Sequence, residues 1–143
     1  LCQNTAVDSV AGYFAALYRE RCIPLCFEMD LPHELPVSET DLCSVLSNLL
    51  ENAMEAGLKT APKRRQVKAS ARLHSEHMVL LSVENTYDGK IREKDGVLLS
   101  SKRPGEGIGL QSVQHIAEKN GGYCRFHYEE GVFCVHVILR GTK

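Results

Sequence analysis

Along residues 42–57, LCSVLSNLLENAMEAG, the apolar positions Leu42, Val45, Leu46, Leu49, Leu50 and Ala53 recur at the three- and four-residue spacing of one helix face. At about 100° per residue, Asn48, Asn52 and Glu55 fall on a different face, within an arc of roughly 60°. The pattern predicts a helix lying on a core, with an amide pair and a carboxylate along one flank. Its ends are marked too. Ser38 with Asp41 has the spacing of a capping box, Val37 and Leu42 that of a hydrophobic staple, and Gly57 suits a left-handed exit.

The same reading divides the rest of the chain. Val7, Val10, Ala11, Phe14, Leu17 and Tyr18 recur at helical spacing, which predicts an amphipathic helix within residues 1–21. Ile23, Leu25, Phe27 and Met29 alternate with Pro24, Cys26, Glu28 and Asp30, the period of a strand, and Pro24 marks a strand start or a sheet edge. Residues 31–36, with two prolines, connect to the asparagine-bearing helix, and residues 59–65 form a basic loop. Val67, Ala69, Ala71 and Leu73 alternate with Lys68, Ser70, Arg72 and His74 as a half-exposed strand. A turn at Ser75 and Glu76 leads into residues 78–83, apolar on both parities and therefore a more central strand, which delivers Glu84 and Asn85 at its end.

Residues 86–104 show no periodicity, and a loop of that length is uncommon in a compact domain unless it works, as a lid does. Ile108, Val113, Ile116 and Ala117 mark a third helix closed by Asn120-Gly121-Gly122. Cys124, Phe126 and Tyr128, then Phe133, Val135, Val137 and Leu139, make two strands joined as a hairpin through Glu129-Glu130-Gly131. The order α-β-α-β-β-lid-α-β-β does not alternate regularly. It predicts an α+β fold, a two-layer sandwich whose mixed, mostly antiparallel sheet is covered on one face by three helices.

Composition narrows the picture. With 143 residues, 43% of them hydrophobic, the chain has room for one domain, residues 1–143, with a real core. Its start at Leu1 rather than Met suggests a piece cut from a longer protein. Seventeen Lys and Arg against eighteen Asp and Glu leave a net charge of −1, so no basic surplus favours nucleic acid as a partner. No apolar run approaches the ~20 residues that span a bilayer, which predicts a soluble domain. The six cysteines contain no C-x-x-C pair and are expected to be small buried hydrophobes in a reducing compartment; the six histidines form no cluster.

Candidate chemistry gathers at residues 103–110, R-P-G-E-G-I-G-L. Gly105, Gly107 and Gly109 free backbone N–H groups to approach an anion, and the helix that follows adds its positive N-terminal dipole, which together make a phosphate cradle. No G-K-[ST] follows, so it is not a Walker A loop, and a polar lid rather than a strand precedes it, which makes a poor Rossmann fingerprint. Lys102 and Arg103 are lid cations that can reach phosphate oxygens or remain a solvated pair.

Taken in order, the N-x-x-x-N helix, the strand ending in a polar residue, the long lid and the G-x-G-x-G-L helix start resemble a known ATP-binding domain. It is the Bergerat-type fold shared by DNA gyrase, heat-shock chaperones and sensor histidine kinases. The wording N-L-L-E-N-A-M-E-A, V-E-N-T-Y-D-G and G-E-G-I-G-L-Q-S-V is most similar to the quorum-sensing, peptide-responsive histidine kinases of Gram-positive bacteria. The resemblance runs from about Val7 onward.

It implies a catalytic domain that binds ATP and Mg²⁺ and donates the γ-phosphoryl group to a histidine on a separate dimerisation domain of the same protein, from which a response regulator takes it. It also implies a cytoplasmic domain of a membrane-anchored homodimer, with residues 86–107 as the ATP lid. The candidate catalytic pair is Asn48 and Asn52, with Asn52 as the magnesium ligand and Glu55 orienting the metal's shell. Asn48 stands where the hydrolysing branch of the superfamily has a glutamate base. An amide takes no proton usefully at pH 7, so poor hydrolysis by the domain alone is expected. Lys102, Arg103, Gly105, Gly107, Ile108, Gly109 and Leu110 complete the implied ATP contacts.

Two positions depart from the family pattern. Asn85 replaces the adenine-reading aspartate, though its carbonyl can still accept from the N6 amine. Glu106 puts a carboxylate between the cradle glycines and is expected to turn to solvent. Two other functions stay open: a nucleotide-responsive interaction module without phosphoryl transfer, and an anti-sigma-type protein serine kinase.

Overall fold

The computed structural model describes residues 4–87, 91–94, 97–100 and 108–141. Period-two alternation builds its main sheet. β1 (Leu25–Asp30), β2 (Val67–Ser75), β3 (Met78–Thr86), β6 (Tyr123–Glu129) and β7 (Val132–Arg140) lie in the order β1-β2-β3-β7-β6. β1 runs parallel to β2 and every other neighbour is antiparallel, so the sheet is mixed and mostly antiparallel as expected. Pro24 stands directly before β1, an edge strand where a missing N–H costs no ladder bond.

Register puts Ala69, Val83, Val135 and Phe126 in one row across β2, β3, β7 and β6, and Ala71, Leu81, Val137 and Cys124 in the next. Rows of that parity join the hydrophobic core beneath α1 (Thr5–Glu20), α2 (Glu39–Leu58) and α3 (Ile108–Lys119). α2 is the central helix, packed on β2 and β3 with α1 on one side and α3 on the other. Leu42, Val45, Leu46, Leu49, Leu50 and Ala53, the whole predicted apolar face, are all buried. The Tyr18 hydroxyl of α1 donates to the Leu50 carbonyl, and burial pushes that phenol upward from its ordinary pKa. Among the described residues no helix is long and apolar enough to cross a membrane.

The structure corrects several local expectations. Residues 86–104 contain regular structure: β4 (Ile91–Lys94) pairs antiparallel with β5 (Val97–Ser100) in a separate two-stranded sheet. The turn before β3 falls at Glu76 and His77 rather than at Ser75 and Glu76. Gly57 is not an exit residue, because α2 continues to Leu58 and caps at Lys59 with right-handed geometry. A Cβ on Gly57 would lie 3.1 Å from the Ile23 Cδ1, so the glycine lets the α1–β1 link press against α2.

The left-handed exit occurs instead on α3, at Gly121 (φ +70°), where Gly122 N donates to Ala117 O at 2.8 Å. Ser38 Oγ accepts from Asp41 N at 3.2 Å, but Asp41 does not complete a capping box. Its carboxylate accepts from Asn120 Nδ2 at 3.0 Å and from Lys119 Nζ at 3.2 Å, joining the first turn of α2 to the last of α3. Cys22 and Cys26 are exposed, unlike buried Cys134 and half-buried Cys43 and Cys124. Of the six histidines, which form no cluster along the sequence, His127 and His136 stack with ring centroids 6.2 Å apart.

Candidate functional site

The flank of α2 that carries Asn48, Asn52 and Glu55 is half-buried. Asn48 Nδ2 donates to Ser44 O at 2.9 Å, one turn back along the helix. Beyond it opens a groove between α2 and α3 of about 420 Å³, lined by Ser44, Asn48, Gln111, Ser112, His115 and Ile116. Asn48 faces the first turns of α3, and Asp41 holds the last. The two helices therefore run in opposite directions, and the Asp41–Asn120–Lys119 contacts close the far end. Hydrogen bonding from Asn120, then the charge and hydrogen bond of Lys119, keeps the Asp41 carboxyl below its ordinary range.

Ile108 and Gly109 begin α3, and Leu110 is buried in the core. The first turn of any helix leaves backbone N–H groups unpaired and carries the positive end of its dipole. Lys102, Arg103, Gly105, Glu106 and Gly107 lie outside the described residues.

The end of β3 supplies the second polar feature. Register places Asn85 between Val67 and Phe133, on the parity of Val79, Leu81 and Val83, and it is only 3% exposed. An amide buried in such a setting is costly unless hydrogen-bonded. Asn85 Nδ2 donates to Thr86 O at 3.0 Å. Buried Thr60, just past the end of α2, donates its hydroxyl to Ala56 O at 2.9 Å and stands 3.4 Å from that same Thr86 oxygen.

Thr86 is itself held twice by Gln66, through Thr86 N to Gln66 O at 3.1 Å and Gln66 N to Thr86 Oγ1 at 3.0 Å. Tyr87 N donates to Gly131 O at 2.8 Å, and Tyr128 donates its hydroxyl to Tyr87 O at 3.3 Å. Residues 85–87 are thereby anchored to β2 on one side and to the β6–β7 turn on the other. The sequence patterns do not mark Thr60 or Thr86 as site residues. The available signal was slight: a threonine just past a helix end, and another next to a polar strand terminus.

The side chains so assembled are mainly amides and hydroxyls, with the Glu55 carboxylate and the His115 imidazole beside them and a cationic margin. Arg65, in the basic loop after α2, donates from Nε to Thr60 O at 3.0 Å and from Nη1 to Arg21 O at 3.3 Å. Such a surface suits a polar or anionic ligand, and its amides offer no base that could take a proton.

The family model of the GHKL domain matches residues 37–140, and the chain belongs to that family. It is similar to the sensor histidine kinase HprS of Escherichia coli (strain K12), 24% identical over 132 residues, a match covering 87% of this chain and 28% of HprS. The chain therefore spans well under half the length of that relative. Among solved structures, the catalytic domain of the histidine kinase ThkA superposes with a TM-score of 0.75 at 24% identity, covering 96% of this chain and 93% of that one. The mycobacterial sensor histidine kinase MprB gives 0.64 at 19%, covering 94% and 95%. The histidine kinase domain of the blue-light-activated kinase from Erythrobacter litoralis gives 0.69 at 12%, covering 96% and 61%. Three helices on a mixed five-stranded sheet is thus the fold of histidine kinase catalytic domains.

Proposed function

We propose that this chain is the catalytic domain of a sensor histidine kinase, binding Mg²⁺-ATP between α2, the end of β3 and the first turn of α3. In this reading it donates the γ-phosphoryl group to a histidine on a separate dimerisation domain, from which a response regulator receives it. The observation that carries it is Asn85, a buried amide that interrupts an otherwise apolar face on the side covered by the helix bearing Asn48 and Asn52.

Each residue has a part it can perform. Asn85 Oδ1 accepts from the adenine amine, and the opening N–H groups of α3 with the preceding glycines hold phosphate oxygens. In this reading Lys102 and Arg103 supply positive charge to the phosphates. Asn52 supplies an amide oxygen for magnesium, with Glu55 orienting the shell; hard oxygen donors, few of them from protein, are what Mg²⁺ takes in nucleotide sites. Bound magnesium would neutralise charge on the triphosphate. Asn48 positions but cannot deprotonate water, so ATP is kept for another nucleophile.

The motif wording further supports a peptide-responsive, quorum-sensing kinase whose full-length form is a membrane-anchored homodimer, with residues 1–143 as its single cytoplasmic catalytic domain and 86–107 as its ATP lid. The test is steady-state ATP hydrolysis by the isolated chain alongside saturable analogue binding. Binding with background hydrolysis is expected, whereas vigorous hydrolysis would show that water is the acceptor and overturn the reading.

A further inference from the structure

β3 has a second functional end. At its start, on the face of the sheet that the helices leave open, Met78 pairs with Arg140, and Leu80 pairs with Ile138, which pairs in turn with Tyr123. None of Met78, Leu80, Ile138 and Tyr123 belongs to the hydrophobic core, whose β3 residues are Val79, Leu81 and Val83. A basin of about 350 Å³ opens there, with Met78 and Ile138 as its apolar part, Tyr123 and the Gly121-Gly122 turn along the β6 side, and His74 and Arg140 as its polar members. It lies roughly 20 Å along the strand from Asn85, on the opposite face of the sheet.

We infer that this basin is a ligand site separate from the nucleotide site, and that it takes a small aromatic carboxylate. Its cations call for the carboxylate. No acidic side chain lines the basin, and no ion pair among the described residues engages Arg140, whose planar guanidinium fork matches two carboxylate oxygens. Its apolar part calls for the ring. Tyr123 is 48% exposed, and Arg125 covers one side of its ring, with the guanidinium carbon 4.8 Å from the centroid, which leaves the other side for an offset stack. Met78 adapts to a flat partner, and buried Ile138 gives it a floor. A bare inorganic anion would leave that apolar surface wet, and a neutral ring would cover it while leaving Arg140 without a partner.

The basin is also preformed. A Cβ on Gly122 would collide with the Ile138 carbonyl, so the corner between α3 and β6 is pressed directly onto β7. A Cβ on Gly121 would lie 3.7 Å from both Cβ and Cδ of Arg140, so the stem of that arginine runs along a turn bare of side chains. The volume falls in the range of small-molecule pockets, at the lower end.

The experiment follows backbone amide resonances of the whole chain by NMR during titration with phenylacetate, 2-phenylethanol, which keeps the ring without the charge, and acetate, which keeps the charge without the ring. Wild type, Arg140→Gln and Tyr123→Ala are compared, each first checked for a cooperative thermal transition. Phenylacetate is expected to bind saturably and to move the resonances of Gly121, Gly122, Tyr123 and Arg140, with the other two probes about tenfold weaker. Arg140→Gln should weaken phenylacetate about tenfold and remove its advantage over 2-phenylethanol, and Tyr123→Ala should remove its advantage over acetate. Binding of an ATP analogue should be the same in all three proteins, because the two sites lie on opposite faces. No saturable shift at these residues, equal binding of acetate and phenylacetate, or phenylacetate binding unchanged in both variants would overturn the inference. So would resonances there that move with protein concentration instead, which would make the basin an interface between copies of the chain.

Discussion

On its covered face β3 presents Val79, Leu81, Val83 and then Asn85; on the open face the same strand presents Leu80, Ser82, Glu84 and Thr86. The open face is crowded with polar partnerships. Lys68 pairs with Glu28 at 3.2 Å, Ser82 Oγ lies 2.7 Å from His136 Nδ1, and Cys134 Sγ lies 3.2 Å from His136 Nε2. Polar groups are inexpensive there because water reaches most of them, and an exposed ion pair such as Lys68–Glu28 contributes little to stability. On the covered face a polar group costs free energy unless it is satisfied. One asparagine among valines and leucines therefore says more about function than a whole row of serines, histidines and charges opposite it.

This contrast can be tested by matched substitutions. Leu81→Ala, fully buried under the helices, should destabilise the chain by about 2–5 kcal/mol, from lost transfer energy plus a cavity. Leu80→Ala, half-buried one position away on the open face, should cost about 1 kcal/mol. Urea unfolding of both variants measures the difference, and equal losses would show that the open face is covered by something as apolar as the helices.

A smaller effect belongs to Asp41, at the margin of the covered layer. Its folded-state pKa is depressed, first by the Asn120 hydrogen bond and then by Lys119, so its contribution is present above the ordinary carboxylate pKa and is lost as pH falls through the folded value. The stability difference between wild type and Asp41→Ala should accordingly shrink between neutral pH and pH ~3. A difference independent of pH would mean that Asp41 acts through packing rather than charge.

Much of this architecture is legible along the chain because its elements announce themselves locally. The six apolar positions of α2, the alternation in β2, β6 and β7, and the Glu130-Gly131 turn, whose residues both take positive φ, depend on near neighbours. What stayed hidden depends on partners distant in sequence. Gly57 looks like a helix exit until Ile23 is seen beside it. Asp41 looks like half of a capping box until Asn120 arrives from the end of α3. β4 and β5 are four residues each, too short to show a period. In the candidate site the motifs point to Asn48, Asn52 and Asn85, but the Thr86 carbonyl that accepts from Asn85, and Thr60 beside that carbonyl, follow from the fold alone.

The most direct measurement is a calorimetric titration with a non-hydrolysable ATP analogue, with and without Mg²⁺, on wild type and Asn52→Ala. Magnesium-dependent binding in wild type that disappears in the variant is the predicted result, since the proposal gives the metal its protein oxygen at Asn52. Absence of binding in wild type, or the same magnesium dependence in both proteins, would contradict it.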